Sequence, residues 1–268
     1  MKVHIPGFDL ALTAASGQSF RFLPVSDGEF RLIARGRLLM IRSLGGDLFD
    51  LSCSEDEFIE VWHDYFDLDR DYNSLAALVS DNDSYLGRAY AFARGVRILR
   101  QEPFETLIAF IISQRKSIPA IKTCMAALSS RFGEDIGMGH KAFPSPDALA
   151  SADDEALAAC GLGYRTPYVK GTARMLAGGQ MDLDHMRTLN DSQLEAALMQ
   201  FPGVGKKVAA CVMLFAYQRM DAFPVDVWIQ KVFEQEYREG FPFERFPGVA
   251  GIFQQYLFCF ARHQAGRG

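Results

Sequence analysis

The sequence predicts a mainly α protein with an antiparallel β-sheet at its N-terminus, an α+β chain. Three observations lead there. Residues 1–53 alternate short apolar runs with glycine turns, and apolar residues recur at helical spacing from Ser54 onward. No strand signal rises above background after about residue 53. The change of period divides the chain into 1–98, a sheet with flanking helices, and 99–268, a helical region bearing the functional cleft.

The elements follow in order. Phe30–Ala34 and Leu38–Arg42 flank Arg35-Gly-Arg37, a hairpin signal, while Asp27-Gly28 and Gly45-Gly46 mark further turns. Ser54-Glu-Asp-Glu57 reads as a capping box opening a helix that carries Phe58, Val61, Trp62 and Phe66 on one face. Phe104–Ser113 is apolar enough for a buried helix. Gln114–Pro119 interrupts it before Ala120–Phe132 resumes. Short helices follow at Asp154–Cys160, closed by Gly161, and at Tyr168–Ala177, ended by Gly178-Gly179. Asp191–Gln200 and Lys206 to about Gln218 form a helix pair, then come Val227–Glu234 and an aromatic-rich terminal helix, Gly251–Arg262. Phe201-Pro-Gly-Val and Phe246-Pro-Gly-Val repeat four residues with different sequels, which marks two helix starts and not a repeat.

An apolar fraction of 49% and a charged fraction of 23% over 268 residues are those of a globular protein with a sizeable core. No apolar run approaches a membrane span, and the N-terminus is no signal peptide. Five widely spaced cysteines form neither a disulfide framework nor a close-spaced metal or iron–sulfur pattern, so a reducing, cytoplasmic compartment is expected. The net charge of −5 argues against a polyanionic partner until its distribution is read. Residues 55–83 hold ten acids against Arg70, a local −9, which leaves +4 for the rest. The acidic stretch reads as a solvated helix surface. Between Met199 and Met220 there are three cations and no acid.

The chemistry centres on Phe201-Pro-Gly-Val-Gly-Lys-Lys207. Gly203 and Gly205 permit a tight hairpin between two helices, and the second helix opens with unpaired N–H groups, a ready anion site. Lys206 and Lys207 lie in its first turn, where cations oppose the helix dipole; such local violations are expected at functional sites. A helix from Lys206 to about Gln218 advances roughly 20 Å, and Arg219–Val225, extended, return up to ~25 Å. Asp226 can therefore come back beside Lys207, where it is also a good N-cap for the next helix.

These residues resemble the helix-hairpin-helix DNA glycosylases, whose signature is a hairpin, a Gly/Pro-rich loop and an Asp. Further stretches are similar to the 8-oxoguanine DNA glycosylase branch of that superfamily: Ser16-Gly-Gln-Ser-Phe-Arg-Phe22, Arg100-Gln-Glu-Pro103, Leu162-Gly-Tyr-Arg165, and the terminal helix with Gln254 and Phe258. The resemblance runs in order from about residue 10 to 262. It implies a helix-hairpin-helix architecture and a bifunctional glycosylase/AP lyase acting, as a monomer, on double-stranded DNA that contains oxidised guanine. Two alternatives stay open from sequence: a glycosylase for another damaged base, and a non-catalytic hairpin module that grips DNA backbone.

By that resemblance Lys207 is the nucleophile at the sugar C1′ and Asp226 stabilises the cationic transition state. Cys211 and Phe258 sandwich the flipped base, Gln254 bonds its edge, and the Gly17 carbonyl accepts the N7–H that 8-oxoguanine has and guanine lacks. DNA contacts fall on Gln114, Arg115, Tyr164, Arg165, Gly203, Gly205 and Lys206. The resemblance also implies a monovalent cation on the carbonyls of Met199, Phe201 and Val204, with no other cofactor and no iron–sulfur cluster. The chain departs from the pattern in three places. Eukaryotic members carry N-N-N where this chain has Arg115-Lys-Ser117, so Arg115 or Gln114 fills the gap left by the flipped base. A family arginine that contacts the opposite cytosine falls on Ala120, and a histidine of the pattern falls on Trp228.

Overall fold

The computed structural model describes residues 1–79 and 83–266. Five antiparallel strands form the N-terminal sheet in the order β1-β5-β4-β3-β2: β1 Lys2–His4, β2 Phe22–Ser26, β3 Glu29–Ala34, β4 Arg37–Gly45 and β5 Leu48–Leu51. β3 and β4 meet through a two-residue loop whose central residues, Arg35 (φ 52°) and Gly36 (φ 67°), take the left-handed conformation that matches strand twist. Helix α1, Leu10–Ala15, leads from β1 into β2.

The acidic stretch folds as α2 Glu55–Glu57, a π-turn Phe58–Trp62 and α3 His63–Tyr65. Ser54 caps Glu57 N–H at 3.1 Å, but the Glu57 carboxylate accepts from Trp62 Nε1 instead of closing a capping box. The solvated-surface reading needs a second correction. Asp67 is 1% exposed and Asp64 binds Arg35 and Arg100, while Asp81 lies outside the described residues. Oδ1 of Asp67 accepts from Arg100 (3.0 and 2.7 Å), and Oδ2 accepts from Arg70 Nε (2.6 Å) and the Tyr72 hydroxyl (2.9 Å). A buried carboxylate is tolerated only with such a complete set of donors.

The helical body comprises α4 Ser84–Ala93, α5 Pro103–Ser113, α6 Ile118–Phe132, α7 Pro146–Ser151, α8 Asp154–Ala158, α9 Thr166–Ala177, α10 Asp191–Leu198, α11 Lys206–Phe215, α12 Val227–Glu236 and α13 Ala250–Ala265. A strand pair that the sequence pattern lacks, β6 Asp135–Gly137 with β7 His140–Lys141, follows α6. It is too short for a period-2 signal, and glycines at 137 and 139 with positive φ make its turn. α11 ends at Phe215, three residues before the expected end. Gln218, at φ 56°, then turns the chain back toward the helix start.

Two apolar clusters make the core. One joins the sheet to α1, the acidic helices and Leu99; the other runs from Tyr72 through the helices to Phe260. α4 packs on α13, so the stretch before residue 98 also contributes a helix to the core of the helical body. α13 is apolar around its circumference and buried from Ala250 to Leu257. Gly251 lets it approach closely, since a Cβ there would stand 2.5 Å from Leu214 and 2.6 Å from the Ala222 carbonyl.

Asp67 sits where the two clusters meet. Asp67→Ala should lower unfolding free energy by about 3 kcal/mol, because it leaves the part-buried Arg70 and Arg100 guanidinium groups and the buried Tyr72 hydroxyl without their acceptor; urea denaturation measures it. Gly203→Ala should cost more than about 1 kcal/mol in the same assay. Its φ is 76°, and a Cβ would meet the Tyr168 ring at 2.5 Å.

Candidate active site

A cleft of about 1010 Å³ opens between the sheet-bearing end and the helical body. Gly17, Lys207, Cys211, Asp226, Gln254 and Phe258 all line it. Residues from both ends of the chain and from its hairpin thus line one cleft.

Lys207 stands in the first turn of α11, half-buried, with Nζ 5.2 Å from the centroid of the Phe110 ring. Among the described residues no carboxylate lies within 4.0 Å of it, so its nitrogen is not consumed by a salt bridge. Cys211, one turn later on the same face, is 3% exposed, and burial pushes its thiol up against the opposing pull of Lys207. Asp226 caps α12: Oδ1 accepts from the backbone N–H groups of Trp228 and Ile229, each at 3.0 Å. The second carboxylate oxygen has no protein donor among the described residues and remains available to the cleft.

Gln254 is 4% exposed. Its Nε2 donates to the Pro224 carbonyl at 2.9 Å, and its Oε1 has no partner. A buried amide left half satisfied on a cleft wall is an acceptor waiting for a ligand donor. Across from it Gly17 (φ 78°) fits closely: a Cβ would stand 2.9 Å from Ile118 and 3.4 Å from Phe258. Its carbonyl likewise accepts no hydrogen bond among the described residues.

At the hairpin, Gly203 is fixed by its positive φ and the Tyr168 ring, whereas Gly205 is extended and has open space around it. Among the described residues nothing stands within 4 Å of a Cβ built at 205, so the space beside it is open. No side chain caps α11, and Lys206 is exposed beside the open N–H groups. Phe201 O accepts from Val204 N–H at 3.1 Å, which leaves it one lone pair. The Met199 and Val204 carbonyls accept nothing among the described residues.

The loop after α5 corrects one expectation and narrows another. Arg165 is not a surface contact: it is 5% exposed, stacks 4.2 Å from the Tyr164 ring centroid and donates to the carbonyls of Leu162 and Gln114. Its neighbours needed a buried donor, which the spacing of Leu162–Arg165 does not reveal. Gln114 is spent internally, its Nε2 bonding Ile111 O and Gly203 O at 3.0 Å each. Arg115, exposed at φ 50°, is left at the tip, with Tyr164 (54% exposed) nearby through its hydroxyl on Gln114 O. Sequence reasoning missed Gln255, Phe110 and the Pro224 carbonyl. Two adjacent glutamines in an apolar helix were the signal for the first.

The sequence comparisons agree with this geometry. Residues 2–107 match the family described as 8-oxoguanine DNA glycosylase, N-terminal domain, and residues 108–239 match the HhH-GPD superfamily base excision DNA repair protein. The 8-oxoguanine glycosylase/lyase of Clostridium acetobutylicum, solved with double-stranded DNA containing cytosine opposite to 8-oxoG, is 35% identical. It superposes with a TM-score of 0.90 over 97% of this chain and 93% of that one. MBOgg1 in complex with a low affinity DNA ligand is 35% identical, with a TM-score of 0.92 over 98% and 96%. The N-glycosylase/DNA lyase OGG1 of Arabidopsis thaliana is 30% identical over 83% of this chain, which spans 64% of that protein's length. With both halves of the chain matched and its fold shared with solved relatives 35% identical, the chain belongs to the 8-oxoguanine DNA glycosylase family of the HhH-GPD superfamily.

Proposed function

We propose that the chain is a bifunctional DNA glycosylase/AP lyase that excises 8-oxoguanine from duplex DNA, acting as a monomer and without a required cofactor. One observation carries the reading. A lysine free of salt bridges and a carboxylate with one oxygen to spare share a cleft with two unpaired acceptors, Gly17 O and Gln254 Oε1.

A base stacked in a duplex hides C1′, so the nucleotide is rotated into the cleft, between Cys211 and Phe258. Gly17 O takes the N7–H of the oxidised base, and unmodified guanine would leave that acceptor unpaired and facing a lone pair. Lys207 Nζ attacks C1′ as the C1′–N9 bond breaks, the electron pair and a proton leaving with the base. Asp226 stabilises the positive charge that develops on the sugar. Ring opening gives the protonated Schiff base. Loss of a C2′ proton then expels the 3′ phosphate by β-elimination and cuts the strand. The uncapped N-terminus of α11, with Lys206 beside it, receives backbone phosphate, and Gly205 lets that phosphate come close. A monovalent cation on the Met199, Phe201 and Val204 carbonyls would add positive charge to the same phosphate contact.

Borohydride reduction during incubation with lesion DNA should trap a covalent adduct with the natural chain and none with Lys207→Gln; an adduct in the variant would place the nucleophile elsewhere. Asp226→Asn should slow single-turnover excision about 10²–10³-fold while lesion binding persists. Ala120 offers no guanidinium to the opposite base. Excision opposite C, A, G and T should therefore differ by less than about tenfold, the discrimination one base contact supplies; a larger preference for cytosine would reveal another reader.

A further inference from the structure

The discrimination proposed above rests on one carbonyl, and a hydrogen bond weakens steeply with distance and angle. Glycine has no side chain with which to fix itself, and at φ 78° Gly17 depends on its neighbours. On its C-terminal side Gln18, 1% exposed, is held completely. Its Nε2 donates to Ser16 Oγ and Arg97 O (2.9 Å each), its Oε1 accepts from Leu99 N–H (2.8 Å), and its carbonyl accepts from Gln101 Nε2 (2.9 Å). All these ties run within the N-terminal half. They say nothing about where Gly17 stands relative to the helix that supplies the other pocket wall.

That relation is set by Gln255. It is 2% exposed, and its Nε2 donates at 2.7 Å to the Ser16 carbonyl, the oxygen of the peptide group that enters Gly17. Two turns on, Arg262 Nη1 donates to Ala15 O at 3.3 Å from the same face of α13. Gln255 lies next to Gln254 and one turn before Cys259, so the helix that carries Gln254 and Phe258 also grips the peptide before Gly17 across 239 residues of sequence. From this geometry we infer that Gln255 is a positioning residue for lesion recognition: it registers the Gly17 carbonyl against the Gln254–Phe258 wall and so sets how well 8-oxoguanine is told from guanine. It lines the same cleft, but its hydrogen bonds go to Ser16 and Cys259 and none to Lys207 or Asp226, so its loss spares the sugar chemistry. The inference rests on the glycosylase reading given above.

Gln255→Met keeps volume and apolar packing and removes the donor. In a Lys207→Gln background, the affinity ratio between duplexes with 8-oxoguanine and with guanine at one position should fall about tenfold, while affinity for an abasic-analogue duplex stays unchanged. In the otherwise natural chain, excision of 8-oxoguanine should fall by a similar factor, and borohydride trapping on a preformed abasic site should hold within about twofold. An unchanged affinity ratio overturns the inference. So does a parallel loss of abasic-site trapping and thermal stability, which would make Gln255 a packing residue. If the chain with Gln255 intact already fails to favour 8-oxoguanine over guanine, the glycosylase reading falls first.

Discussion

One buried hydrogen bond, from the Gln254 amide to the Pro224 carbonyl, joins the two elements on which the cleft depends. The segment after α11 must fold back along that helix to bring Asp226 near Lys207, and a chain without regular structure has no ladder of its own to hold it. α13 supplies the hold twice: Gly251 N–H bonds Met220 O at 2.7 Å, and Gln254 bonds Pro224 O two residues before Asp226. With Nε2 spent on this tether, the Gln254 Oε1 is left as an unpaired acceptor in the pocket wall. Placement of the carboxylate and polarity of the pocket wall are consequences of the same contact.

Charge is arranged by segregation. The −9 stretch is partly internal, because Asp67 and Asp64 neutralise Arg70, Arg100 and Arg35 at the junction of the two cores. The hairpin keeps its cations without acidic partners. An overall negative chain thus presents a basic cleft edge, and the burial that stabilises the junction also withdraws negative charge from the surface a polyanion would meet.

The sheet, the major helices, the hairpin and the return of Asp226 to the cleft that Lys207 lines were legible because each is a local pattern: period 2, period 3.6, a glycine-rich turn, a return of known length. The pocket residues became legible through resemblance, since nothing local distinguishes Cys211 or Phe258 from core. What escaped was set by distant partners. Asp67 looks like any acid in an acidic run until Arg100 arrives from beyond α4. Arg165 looks like a surface cation until the Gln114 carbonyl claims it, and Gln255 is one amide in an apolar helix until Ser16 meets it from the far end of the chain. The β6–β7 pair is simply shorter than any periodicity can register.

The loop carrying Arg115 is hydrogen-bonded to the hairpin through the Gln114 amide on Gly203, while its other ties run to Arg165 and, from Lys116, to the Gly161 carbonyl. Residues 115–117 line the cleft but make no hydrogen bond to Lys207, Asp226 or the Gly17 carbonyl, so they can vary without breaking one there. On the proposed reading, traits that face the intact strand and traits that govern chemistry on the damaged one are separable units of heritable variation. A lineage can broaden or narrow its tolerance for mispaired partners by drift at a few positions while the rest of the enzyme remains under unaltered selection.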